Sequence, residues 1–175
     1  MSDKQPGRIG SVAEFLAHAY ALECESAERY EELADSMETH HNLEVAALFH
    51  RLAEFGEEHA AEVRRRAEGV ELPRIPPWEY QWSCPEGPET SCTDEIHYLM
   101  TAAKALDIAL LNELRGRDFY ARVALESDDE QVRGIAAEMA EEEEGHVALL
   151  REWMERVPLD EERPPEDLDP PNTPE

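Results

Sequence analysis

The chain has 175 residues, of which 41% are apolar, enough to fill the core of one domain and too few for a second. Its 42 acidic and 16 basic side chains give a formal charge of −26, which repels nucleic acid and anionic membrane surfaces and excludes a general phosphate-binding role. No apolar run approaches the about 18 residues of a membrane span and residues 1–7 lack the apolar stretch of a secretory signal, so a cytoplasmic protein is expected.

Residues 1–10, with Pro6, Gly7 and Gly10, read as a flexible arm. Ser11 and Glu14 then form a capping box, each side chain satisfying a free backbone amide. Behind it Val12, Phe15, Leu16, Ala19, Leu22, Ser26, Tyr30, Leu33, Ala34 and Met37 recur at three- and four-residue steps, the signature of one long amphipathic helix. Glu23 falls beside this stripe, among Ala19, Ala27 and Tyr30, where small neighbours leave space for an ion.

His40, His41 and Asn42 supply a short turn, with Asn42 placed to cap a second helix from Leu43 to about Glu68. Its inward face carries Leu43, Ala46, Phe49, Leu52, Ala53, Gly56, His59, Ala60 and Val63, and Arg64, Arg65 and Arg66 suit its C-terminal dipole. Residues 70–93 lose all periodicity among Pro73, Pro76, Pro77, Trp78, Tyr80, Trp82, Pro85 and Pro88. So long a connection is expected where the second and third helices run parallel and the chain must return along the whole bundle. Cys84 and Cys92, with seven residues between them, have the wrong spacing for a metal knuckle. With Cys24 they suit free thiols in a reducing compartment, a Cys84–Cys92 disulfide being the alternative.

A third helix is expected from about Asp94 to Glu126, with Leu99, Ala103, Leu106, Ala109, Leu110, Glu113, Tyr120 and Ala124 inward. Residues 127–130 read as a second capping box opening a fourth helix, whose inner face holds Val132, Ile135, Ala136, Met139, Glu143, His146, Val147, Leu150 and Met154. The acidic, proline-rich residues 158–175 form a disordered tail, which leaves residues 11–157 as the bundle.

The chemistry lies in the repetition between the two halves. Glu23 precedes Tyr30 by seven residues and Ala34 by eleven, and Glu113 precedes Tyr120 and Ala124 by the same steps. The second helix of each pair carries an inward histidine, His59 and His146, and Glu143 stands three residues before the latter, about 300° around the helix and so on the same face. Burying three carboxylates and two imidazoles in one core without a compensating cation would cost several kcal/mol each.

These residues, above all Glu23 to Tyr30, Glu113 to Tyr120 and the Glu143-Glu144-Gly145-His146 run, resemble the ferritin-like superfamily and most closely the rubrerythrin-like di-iron carboxylate proteins. The resemblance implies an all-α four-helix bundle with a long crossover between helices 2 and 3. It makes Glu23, His59, Glu113, Glu143 and His146 metal ligands, with Tyr30 and Tyr120 donating hydrogen bonds behind them. It further implies iron, with manganese or zinc as alternatives, and an oxidoreductase that reduces hydrogen peroxide, uses dioxygen or oxidises Fe(II). No paired Cys-x-x-Cys module of the rubredoxin type is present, so the electron donor would be a separate protein; a homodimer through the Trp78 and Trp82 segment is a further expectation. One position departs from the pattern. Three residues before His59 the family pattern asks for Glu, and the chain has Gly56. The site would then hold two ions with water, an exogenous anion or a shifted carboxylate filling the gap, or one ion mainly on Glu113, Glu143 and His146, unless the bundle is a non-catalytic one with a degenerate site.

Overall fold

Four helices organise the chain in the computed structural model, which describes residues 9–76, 79–80 and 100–156. They are α1 (Val12–Thr39), α2 (Leu43–Arg66), α3 (Ala102–Glu126) and α4 (Glu130–Arg156). The expectations for the first eight residues, for Trp78 and Trp82, for Cys84 and Cys92, for Asp94 and the inward Leu99, and for the acidic tail fall outside the described residues. Among the described residues no helix is long and apolar enough to cross a membrane.

Each helix start shows which local device holds it. Ser11 Oγ accepts from the Glu14 amide, while Glu14 Oε2 accepts from Gly10 rather than from Ser11, a box displaced by one residue. The arm is tied down before this: Ile9 is buried and its carbonyl accepts from the Ser127 hydroxyl at 3.0 Å. Asn42 stands at the start of α2 without capping it; its side-chain amide instead donates to the Met100 carbonyl at 2.7 Å.

The third helix begins at Ala102, not Asp94, because Thr101 provides the cap and its Oγ1 accepts from the Lys104 amide. The cap of α4 is Asp129, whose Oδ1 accepts from Gln131 and Val132, rather than Ser127, whose hydroxyl is occupied with Ile9 and the Asp129 amide. Two inward expectations are corrected at helix starts, where the core does not reach. Leu43 is 64% exposed, and Ala103 is exposed while Ala102 and Ala105 turn inward.

The apolar side chains divide into two clusters. One gathers Met37, Phe49, Leu52, Ala105, Leu106 and Leu150, and the other Phe15, Leu16, Leu22, Val63, Phe119 and Met139. Following the chain through them gives the topology. Helices α1 and α4 run from the second cluster to the first, and α2 and α3 run the opposite way, so each hairpin is antiparallel and α2 lies parallel to α3. The Asn42 to Met100 bond, joining the start of α2 to the residue before the α3 cap, shows the same thing directly. The link from α2 to α3 therefore has to regain the length of the bundle, as a ferritin-like fold requires. Its described end packs on α1, where Tyr80 meets the buried His18 edge to face at 5.4 Å.

Helices α1 and α2 approach each other closely at Gly56. A Cβ there would lie 3.0 Å from Ala27 Cβ and 3.1 Å from the Ala27 backbone nitrogen, so only glycine lets the two helices pack this tightly. In contrast, the Cα atoms of α2 and α4 stay more than 8 Å apart along their whole length, and side chains bridge the seam between them.

Candidate metal centre

Between the two apolar clusters lies a polar layer, and every helix contributes to it. Glu23 comes from α1, His59 from α2, Glu113 from α3, and Glu143 and His146 from α4. The heptad-like apolar faces carry these residues inward, since each sits among core positions at three- and four-residue spacing.

The five side chains form a continuous series of contacts from Glu23 to Glu113. His59 Nδ1 stands 3.2 Å from Glu23 Oε2 and 3.5 Å from Glu143 Oε1. His146 Nδ1 stands 3.3 Å from Glu113 Oε2 and 3.6 Å from Glu143 Oε2. Glu143 is thus the shared carboxylate, with a histidine at each oxygen, while Glu23 and Glu113 each face one histidine. Ligand atoms of His59, Glu143 and His146 all lie within 4.8 Å of one another.

Burial sets the electrostatics. Glu23 and Glu143 are 1% and 2% exposed, and the two imidazoles 18% and 20%, so carboxylates face the interior and imidazoles the seam. Burial, reinforced by the charges of Glu23 and Glu113, pushes the Glu143 carboxyl well above the ordinary carboxylate range. For the histidines burial works against the charged form, but the hydrogen bonds and charges of Glu23 at His59 and of Glu113 at His146 outweigh it and raise both.

Glu143 Oε2 is buried and makes no hydrogen bond. A buried carboxylate oxygen left this way is costly, and a cation between the imidazoles and the three carboxylates would satisfy it. Two nitrogen and three carboxylate donors suit iron, manganese or zinc among the common metals. The residues present therefore fit a metal centre.

The hydrogen-bonding tyrosines are placed differently. Tyr120 donates to Glu23 Oε1 at 2.6 Å, fixing that carboxylate from α3. Tyr30 OH accepts from the buried Asn112 side chain at 3.2 Å. Asn112 is a polar core residue that the reading of α3 passed over, although it lies on the same helix face as Ile108 and Phe119.

Gly56 does not leave a vacancy in the cage. A side chain there would point at the Ala27 backbone, so the missing carboxylate reflects a tight helix contact rather than an empty ligand position. Nor does a neighbouring acid replace it. Glu54, Glu57 and Glu58 are exposed, and Glu142 lies outside the cage, 3.6 Å from Arg66. Arg66 also meets Glu62 at 3.0 Å and Glu138 at 2.7 Å, forming a charged clamp across the α2–α4 seam.

On the opposite side of the histidines the seam is closed by rings. Phe55 of α2 lies parallel to His146 at 5.1 Å and to Trp153 of α4 at 6.5 Å. Neither residue stood out in the sequence, yet Phe55 is one turn before His59 and Trp153 two turns after His146, a spacing that puts all four on the facing sides of two helices.

Two antiparallel hairpins whose four helices meet in a mid-height layer of glutamates and histidines define a ferritin-like four-helix bundle. The rubrerythrin family profile matches residues 14–86 and 104–170, and the chain belongs to that family. It is similar to an uncharacterized conserved protein from Magnetospirillum magnetotacticum MS-1 known from a crystal structure, with 43% identity over 85% of this chain and 96% of that one and a TM-score of 0.67. No curated protein matches the chain.

Proposed function

We propose that this protein is a metal-dependent oxidoreductase that holds iron, as two ions or one, on Glu23, His59, Glu113, Glu143 and His146 and acts on hydrogen peroxide, dioxygen or Fe(II). The observation that carries this reading is the convergence of three buried carboxylates and two imidazoles from four helices on Glu143, one oxygen of which has no hydrogen bond. Bound iron would supply one-electron redox steps and a Lewis acid for oxygen chemistry.

The chain's own residues set the conditions for that chemistry. Glu143 ties the two histidines together, so a shift of α4 alters both halves of the cage. Tyr120 holds Glu23 in one orientation and can return a proton toward the carboxylate as the charge in the layer changes. The two apolar clusters exclude water above and below, leaving the partly exposed histidine side as the way in for a small oxidant. With three buried carboxylates, the cage favours cations over anions. Electrons for peroxide reduction come from a separate donor protein in this reading.

The test is an anaerobic Fe(II) titration of metal-free protein, followed by rapid mixing with hydrogen peroxide or with dioxygen. Saturable binding at one or two iron per chain and rapid oxidation of the bound iron support the proposal, and the faster oxidant distinguishes peroxide reduction from ferroxidation. Absence of saturable binding would leave a structural bundle instead.

A further inference from the structure

The ring contacts across the α2–α4 seam form an ordered series. His59 of α2 lies against His146 of α4 at 4.6 Å with planes 11° apart, His146 against Phe55 of α2 at 5.1 Å and 13°, and Phe55 against Trp153 of α4 at 6.5 Å and 22°. The rings come alternately from the two helices, so the seam is closed by a zipper of four nearly parallel aromatic faces. It starts at the two histidines of the metal centre and ends at Trp153, a half-buried ring on the bundle's surface side. The Arg51 guanidinium covers Phe55 at 4.6 Å, and Trp153 at the far end of the series is half-buried.

Shape alone does not require this arrangement, since aliphatic side chains would fill the same gap. Aromatic faces in sequence do something aliphatic ones do not: their π orbitals carry electronic coupling from ring to ring, and an indole can lose and regain one electron. Tyr120, the oxidisable ring nearest Glu23, is buried and hydrogen-bonded to a carboxylate, which leaves it without a route to a soluble donor.

We propose that the zipper of His146, Phe55 and Trp153 is the path by which electrons enter the metal centre, with Trp153 as a redox relay for a one-electron donor. This rests on the oxidoreductase reading above. Reduction of one hydrogen peroxide to two waters takes up two electrons and two protons, and in this path the electrons leave Trp153 one at a time. At each step the indole gives one electron inward and its Nε1 proton to solvent. A one-electron reductant of the reduced iron–sulfur or flavin protein class then returns an electron to the indole, which regains its proton. His59 and His146 act as holders of the metal, Phe55 as the bridge that shortens the gap, and Trp153 as the residue that changes oxidation state.

The experiment adds hydrogen peroxide to iron-loaded protein without reductant and follows freeze-quenched samples by electron paramagnetic resonance, with iron content and iron absorption measured on the same samples. Wild type is expected to show a tryptophan radical that is lost in W153F, which retains the chain's other two tryptophans, 78 and 82. F55L is expected to slow radical formation, and W153F to slow consumption of hydrogen peroxide by the iron-loaded protein with reduced methyl viologen as donor, each at least fivefold and both with unchanged iron content and melting temperature. Iron that is oxidised by peroxide with no radical, or with a radical that survives in W153F, would overturn the relay and leave the oxidoreductase reading standing. Protein that binds no iron, or whose iron does not respond to peroxide, would overturn both.

Discussion

Replacing Gly56 by alanine tests whether the close packing of α1 on α2 is what excludes a side chain there. In an open helix this change stabilises by roughly 0.5–1 kcal/mol, because glycine loses more backbone freedom on folding. At Gly56 the added carbon would sit 3.0 Å from Ala27 Cβ, 3.1 Å from its nitrogen and 3.2 Å from its Cα. Ordinary carbon contacts are about 3.5–4.0 Å, so the helices must separate by roughly half an ångström or more, and overpacking of this kind costs about 1–3 kcal/mol. The net expectation is a loss of about 1–2 kcal/mol, or a fall in melting temperature of roughly 2–8 °C for a chain of this size. Gly134 and Gly145 are internal controls, since nothing lies within 4 Å of a Cβ at either. G134A and G145A should each raise the melting temperature by roughly 1–4 °C in the same thermal scan. G56E should be less stable than G56A and bind no more iron than wild type, whereas a simple vacant ligand position would bind more. A G56A protein as stable as the G145A one would refute the packing argument.

Other consequences can be measured on the same material. E143Q should abolish tight Fe(II) binding in calorimetry while leaving the metal-free protein at least as stable at pH 8, because an uncharged isostere removes one of three buried carboxylates. Y120F removes the 2.6 Å bond to Glu23 and should cost about 1.5–3 kcal/mol in urea unfolding; no measurable cost would mean that Glu23 is held by other partners. His18 and His50 should titrate in opposite directions by NMR. Burial holds His18 below its ordinary value of 6.5, so its contribution to stability is complete above that pH and declines as the pH falls toward the lowered value. Hydrogen bonds donated to Glu38 and Glu31 raise His50, so its contribution is complete below 6.5 and is lost as the pH climbs through the raised value. Identical titration midpoints for the two would refute both assignments.

The bundle was legible because its periodicity is strong: nearly every apolar position on the α1 stripe, from Phe15 to Met37, is buried. The convergence of Glu23, His59, Glu113, Glu143 and His146 was legible from the duplicated spacing, since a helix face fixes which residues share a layer. Helix ends were less so. Thr101, Asp129 and Asn42 are each one of several side chains able to cap, and tertiary partners such as Met100 and Ile9 decide which ones do. Gly56 and the Phe55–Trp153 pair were not legible at all in this sense. Their roles depend on interhelical distances, tight between α1 and α2 and wide between α2 and α4, which a one-dimensional pattern does not encode.

The division of the polar layer between the hairpins bears on how the molecule is made. The amino-terminal hairpin brings Glu23 and His59, and the carboxy-terminal one Glu113, Glu143 and His146. During synthesis the first hairpin emerges with Glu23 and His59 on its apolar face and only each other for a partner, and it waits for the second to supply the rest of the layer. Because His146 lies in the second half of α4, the cage closes only once both hairpins have been made, and metal capture becomes a late step of assembly rather than its nucleus.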